Sequence, residues 1–88
     1  HDVIHVVAEA KRSFGAIHGV IHSAGLTRDG LILTKTMDTA EAVCAPKIQG
    51  TCYLHEATRK EPLDFFVLFS SIAAVFGNAG QSDYAYAN

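Results

Sequence analysis

Apolar residues recur at helical spacing at the start of the chain: Val3, Val6, Val7, Ala10 and Phe14 share one stripe, with Asp2, Glu9, Lys11 and Arg12 mostly off it. This spacing predicts an amphipathic helix over residues 2–14, stopped by Gly15. The period then changes. Ile17 to His22 is a short run with two isoleucines and a valine that ends on Ser23-Ala24-Gly25, so it predicts a buried strand followed by a turn. Asp29-Gly30 marks a further turn. Met37, Ala40, Val43, Cys44, Ile48 and Cys52 return to helical spacing, over about Asp38 to Arg59. Pro46 lacks the amide a helix needs, so a kink or two abutting helices are expected there. Glu61-Pro62 ends the stretch, and Leu63 to Phe69 is almost continuously apolar, the pattern of a strand covered on both faces. Gly77-Asn78-Ala79-Gly80 is a turn cluster, after which Ser82 or Asp83 is placed to cap a last helix.

Helix, strand, helix, strand, helix is the alternation of an α/β fold with a parallel sheet, because parallel neighbours need crossovers, usually helical ones. Two strands with apolar faces leave open edges and uncovered surfaces. The expected fold class is therefore a fragment of a Rossmann-like, doubly wound parallel sheet whose N-terminal strands are absent. Its isolated stability is expected to be marginal, since burial must offset roughly 1.5 kcal/mol of ordering per residue.

Composition narrows the function. The chain has 88 residues, 49% apolar and 18% charged, an ordinary globular balance. A net charge of -2 without Lys/Arg clusters argues against nucleic acid. Apolar runs such as Phe65 to Phe69 fall far short of the ~20 residues of a membrane helix, and no charged-then-apolar leader opens the chain. Cys44 and Cys52, without a CxxC, read as reduced, partly buried thiols, so a cytoplasmic protein is expected. The pairs His1/His5 and His18/His22 suggest a metal, but only the first could share a helix face, and neither has a third ligand at a suitable spacing. No metal site is expected.

In open α/β sheets ligands sit beyond the carboxyl ends of the strands, which directs attention to Ser23-Ala24-Gly25 and Ser70-Ser71. Taken alone, serines there are turn formers. Tyr84 and Asn88, four residues apart on the last helix, project from one face about 6 Å apart along the axis. A phenol is a useful proton donor when a cation beside it eases its ionisation, and Lys47 is the cation available. Each of these residues has an ordinary structural reading by itself.

Together, the runs HSAG, APKIQG, FVLFSS and GNAGQSDYAYAN resemble the ketoreductase domain of modular polyketide synthases, within the short-chain dehydrogenase/reductase superfamily, over nearly the whole chain. The resemblance implies that Ser71, Tyr84, Asn88 and Lys47 are the catalytic set. It implies that Ser23, Ala24 and Gly25, with Lys47 and Tyr84, lie against the cofactor, Ser23 standing where the superfamily has asparagine. YxxxN in place of YxxxK, with the lysine upstream, is typical of the synthase ketoreductases. Residues 1–88 would then be the C-terminal part of the catalytic ketoreductase subdomain, an incomplete domain.

The reaction so implied is hydride transfer from NADPH to the β-carbonyl of an acyl thioester on an acyl carrier protein, within a megasynthase whose other domains are further partners. Tyr84 would protonate the carbonyl oxygen, Ser71 would hydrogen-bond to it, and Asn88 would position Lys47 or a relay water. Thr27-Arg28-Asp29 stands where ketoreductases giving a D-hydroxyl carry Leu-Asp-Asp, keeping the last aspartate, Asp29; Phe76 stands where the opposite type often has tryptophan. A D-hydroxyl product is expected. No GxGxxG occurs, so the pyrophosphate cradle and the choice of NADPH over NADH are expected to lie outside these residues, which alone should be inactive. Two alternatives share the pattern: an animal-type fatty acid synthase ketoreductase, and a non-catalytic ketoreductase-like scaffold in a megasynthase. A stand-alone small-molecule reductase is disfavoured by the absence of YxxxK.

Overall fold

The change of apolar period between Phe14 and Ile17 becomes a change of element in the computed structural model, which describes residues 2–88. Helix α1 (Asp2–Phe14) leads to strand β1 (Gly19–His22). A short 3-10 turn (Ile32–Thr34) and the long helix α2 (Met37–Thr58) cross over to strand β2 (Phe65–Leu68), followed by helices α3 (Ala73–Phe76) and α4 (Ser82–Ala87). Gly15 ends α1 as expected: its N–H donates to Lys11 O at 2.8 Å, and its φ of +92 is a conformation that L side chains rarely adopt.

The strands pair in parallel, Gly19 opposite Phe65 and His22 opposite Leu68. Backbone bonds extend the pairing at both ends, from Asp64 N–H to His18 O (2.7 Å) and from Phe69 N–H to His22 O (3.0 Å). Both chains therefore leave the sheet at the same edge, which brings the residues after β1 beside those after β2.

Four expectations need correction. First, α2 is one helix through Pro46 and not two abutting ones. Proline removes one amide from the ladder, but His22 Nε2 lies 2.6 Å from the Pro46 carbonyl oxygen and braces that turn from outside the helix. Second, neither Ser82 nor Asp83 is the N-cap of α4. That place falls to Gln81 without a side-chain bond, and Asp83 Oδ1 instead accepts from the next amide, Tyr84 N–H, at 2.8 Å. Third, the stripe on α1 is narrower than its sequence spacing, with Val7 buried while Val6 and Phe14 are 67% and 87% exposed. Fourth, Cys52 is exposed rather than partly buried; both thiols are free. Helix α3 is an addition, too short to carry a readable period.

Among the described residues the buried apolar side chains are Val7, Val43 and Ala73. Phe65, Val67 and Leu68 of β2 are open to solvent within this chain, so the apolar faces of the strand lack their expected cover. The radius of gyration, 15.2 Å, exceeds the ~12 Å of a compact domain of this length. No described helix is long and apolar enough to cross a membrane.

Candidate active site

Parallel pairing sends Ser23-Ala24-Gly25 and Phe69-Ser70-Ser71 off the same carboxyl edge, where the sequence places the chemistry. Helix α2 supplies Lys47 from the side. Its Nζ donates to Phe69 O at 3.1 Å and stands 6.0 Å from the centroid of the Tyr84 ring. A Cβ on Gly25 would lie 3.4 Å from Lys47 Cε and 3.8 Å from its Nζ, so the turn after β1 rests against the lysine. These groups line a cleft of about 340 Å³ whose walls include Ser23, Gly25, Thr27, Lys47, Ser70 and Tyr84.

The structure brings Ser23, Gly25, Lys47 and Tyr84 together; Ala24 and Ser71 are neighbours in the chain but do not line the cleft. The Ser71 hydroxyl accepts from Ala73 N–H at 3.2 Å, starting α3. A hydroxyl in that role keeps its own proton free to donate. Asn88 folds back on the helix: its Nδ2 donates to Tyr84 O at 2.6 Å, and its carbonyl accepts from Ser70 Oγ at 2.8 Å. Its Oδ1 is buried without a hydrogen-bond partner, an acceptor awaiting a donor.

Asp29 lies outside this cleft. Its Oδ1 accepts from Gln81 Nε2 at 3.0 Å, which ties the loop after β1 to the turn before α4. The sequence directed attention to Ser70 only as a strand-end turn former and to His22 only within a metal pair, and did not single out Gln81; the partners of all three lie far along the chain. Among the described residues no three metal-ligating side chains converge; His1, half of the His1/His5 pair, lies outside them.

The comparisons agree on one family. The family model described as KR domain matches residues 1–88. The chain is 51% identical over 82 residues to polyketide synthase ThaG of Burkholderia thailandensis, covering 93% of this chain and 2% of that protein. It is 48% identical over 83 residues to polyketide synthase PksL of Bacillus subtilis, covering 94% and 2%. Among solved structures, it matches an N-terminal ketoreductase from the macrolactin assembly line with a TM-score of 0.94 at 51% identity, covering 98% of this chain and 18% of that one. A ketoreductase domain from the bacillaene assembly line matches with a TM-score of 0.94 at 43% identity, covering 100% and 21%. The chain thus spans 2% of these curated relatives and about a fifth of these solved chains. Its parallel strands and helical crossover are a fragment of their Rossmann-like fold. With the whole of its length matched, the chain belongs to the ketoreductase (KR) domain family of polyketide synthases.

Proposed function

We propose that the parent domain reduces the β-keto group of an acyl thioester, held on an acyl carrier protein, to a β-hydroxyl with hydride from NADPH. The observation that carries this reading is the approach of the Lys47 ammonium to the Tyr84 ring at the carboxyl edge of β1 and β2.

The donor set fits the nicotinamide end of such a cofactor. Ser23, Ala24 and Gly25 form the turn that faces Lys47, and the buried, unpaired Asn88 Oδ1 can take a hydrogen bond from Lys47 or from a relay water. Ser23, Ala24, Gly25, Lys47 and Tyr84 would hold this end, and the nicotinamide, when bound, supplies the hydride. Tyr84 holds the proton that the carbonyl oxygen takes up as charge develops on it. The Lys47 ammonium favours the charge left on the phenol oxygen, an attraction that strengthens as a closed site excludes water. Ser71, whose proton remains free while its oxygen accepts from Ala73, gives the carbonyl oxygen a second hydrogen bond, worth roughly 3 kcal/mol in such sites. Asp29, on the loop bordering the cleft, directs the substrate so that the hydroxyl is D-configured.

The test is NADPH oxidation by the complete parent domain with a β-ketoacyl thioester, native against Tyr84→Phe. The native domain is expected to reduce the thioester and the variant to lose about 10²–10⁴ of that rate while still binding NADPH. A native domain that neither binds NADPH nor reduces the thioester would mark a non-catalytic segment. An L-configured alcohol would refute the role given to Asp29.

A further inference from the structure

The loop after β1 is bound to the start of α4 by a set of polar ties that involve neither Lys47 nor Ser71 nor Asn88. Gly30 N–H donates to Gly80 O at 2.9 Å, and the two backbones are so close that a Cβ on Gly80 would lie 3.3 Å from Gly30 N. Beside this contact, Gln81 links Asp29 to Asn78, whose Nδ2 donates to Gln81 Oε1 at 2.7 Å.

Beneath them Lys35 and Asp83 form an ion pair at 3.2 Å with side chains only 8% and 4% exposed. Every other ion pair among the described residues includes a side chain at least 47% exposed. Burying two charges is costly, and their attraction offsets that cost only where the remaining donors and acceptors are also satisfied. Lys35 Nζ also donates to Arg28 O, and Asp83 Oδ1 accepts from Tyr84 N–H at 2.8 Å. Asp83 Oδ2 has no hydrogen bond, so the Lys35 ammonium is what compensates its charge. The backbone of Arg28, next to Asp29, is thereby joined through two side chains to the backbone of Tyr84.

We propose that Lys35 and Asp83 are positioning residues whose ion pair sets Tyr84 at a fixed place relative to the Asp29 loop. Apolar side chains of similar volume would fill the same space at lower electrostatic cost, but they would leave Arg28 O and Tyr84 N–H without these partners. The consequence for turnover rests on the reduction reading above; the mechanical coupling does not.

Both parts are tested in the complete parent domain with Lys35→Met, Asp83→Asn and the double variant. Amide hydrogen exchange is read over residues 27–36 and 81–88, beside kcat and KM for thioester and NADPH. Lys35→Met leaves the Asp83 charge buried alone, so exchange is expected to rise at least about tenfold in both segments. It is expected to lower kcat by about tenfold to a hundredfold with KM for NADPH unchanged. Asp83→Asn keeps an oxygen for Tyr84 N–H but strands the ammonium. The double variant, with no charge left buried, is expected to regain only the part of both losses that comes from an unpaired charge, since it still lacks the tie from Lys35 to Arg28 O. Faster exchange in one segment only or in neither would overturn the coupling, as would a double variant no better than the worse single one. NADPH affinity and melting temperature falling in step with kcat would mark a merely structural pair and overturn the positioning role. A native domain that reduces no thioester would end the reduction reading alone, since the exchange measurements decide the coupling independently.

Discussion

His22 Nε2 lies 2.6 Å from the main-chain oxygen of Pro46, joining the end of β1 to the middle of α2. A carbonyl oxygen only accepts, so Nε2 carries the proton in this contact. Gly50, one turn further along α2, leaves the ring its space: a Cβ there would already touch His22 Nε2 at 3.4 Å. The next residue after Pro46 is Lys47, so this bond helps to set the turn of α2 that presents the ammonium to the cleft. His22→Leu is expected to lower the unfolding free energy of the complete domain by about 1–3 kcal/mol in a urea titration. An unchanged midpoint and slope would show that His22 does not brace α2.

Gly19 and Phe65 face each other across the sheet, and a Cβ on Gly19 would overlap the Phe65 ring. The ring covers the place that a side chain would otherwise take. Gly19→Val is expected to destabilise the complete domain by about 1–3 kcal/mol through overpacking, despite the better strand propensity of valine. Gly19→Val combined with Phe65→Ala should recover part of that loss, and thermal unfolding of both variants checks it.

Lys47 holds its place through Phe69 O and stands above the Tyr84 ring. On the reduction proposed above, Lys47→Met is expected to lower kcat of the parent domain by about 10²-fold or more, because the cation beside Tyr84 is lost. Lys47→Arg restores the charge but not the compact ammonium, so it should recover only a small part of the rate. Steady-state rates measured beside NADPH affinity separate this effect from lost binding; equal rates for the three proteins would exclude Lys47 from the chemistry.

Glu61 clasps two elements at once. One carboxylate oxygen pairs with Lys11 Nζ at 3.0 Å on α1, and the other accepts from Ile17 N–H at 3.3 Å before β1. The bond from Lys11, then that from Ile17, hold its carboxyl below the ordinary value of 4.5. A group with a lowered folded value contributes stability that is full above its unfolded value and is lost as pH falls through the folded one. Native domain and Glu61→Gln should therefore differ in stability near neutral pH and converge as pH falls below about 4.5. A stability difference that stayed constant across that range would contradict the clasp.

Helical and strand periods, the glycine stop at Gly15 and the spacing of HSAG, APKIQG, FVLFSS and GNAGQSDYAYAN are local or near-local signals, and they were sufficient for the elements other than α3 and the 3-10 turn, for the fold class and for the family. They could place Lys47 and Tyr84 on helices, Asn88 at the end of the last one and the serines at strand ends, because a side chain's face follows from the period of its own element. They could not show that Pro46 stays within one helix, since the brace comes from His22, nor that the Ser71 hydroxyl starts α3 beside the cleft and not in it. The links from Lys35 to Asp83, Asp29 to Gln81 and Ile17 to Glu61 were equally out of reach. Each joins residues that meet only after the crossover has brought two loops to one edge of the sheet, and no local period records which distant partner a side chain will find.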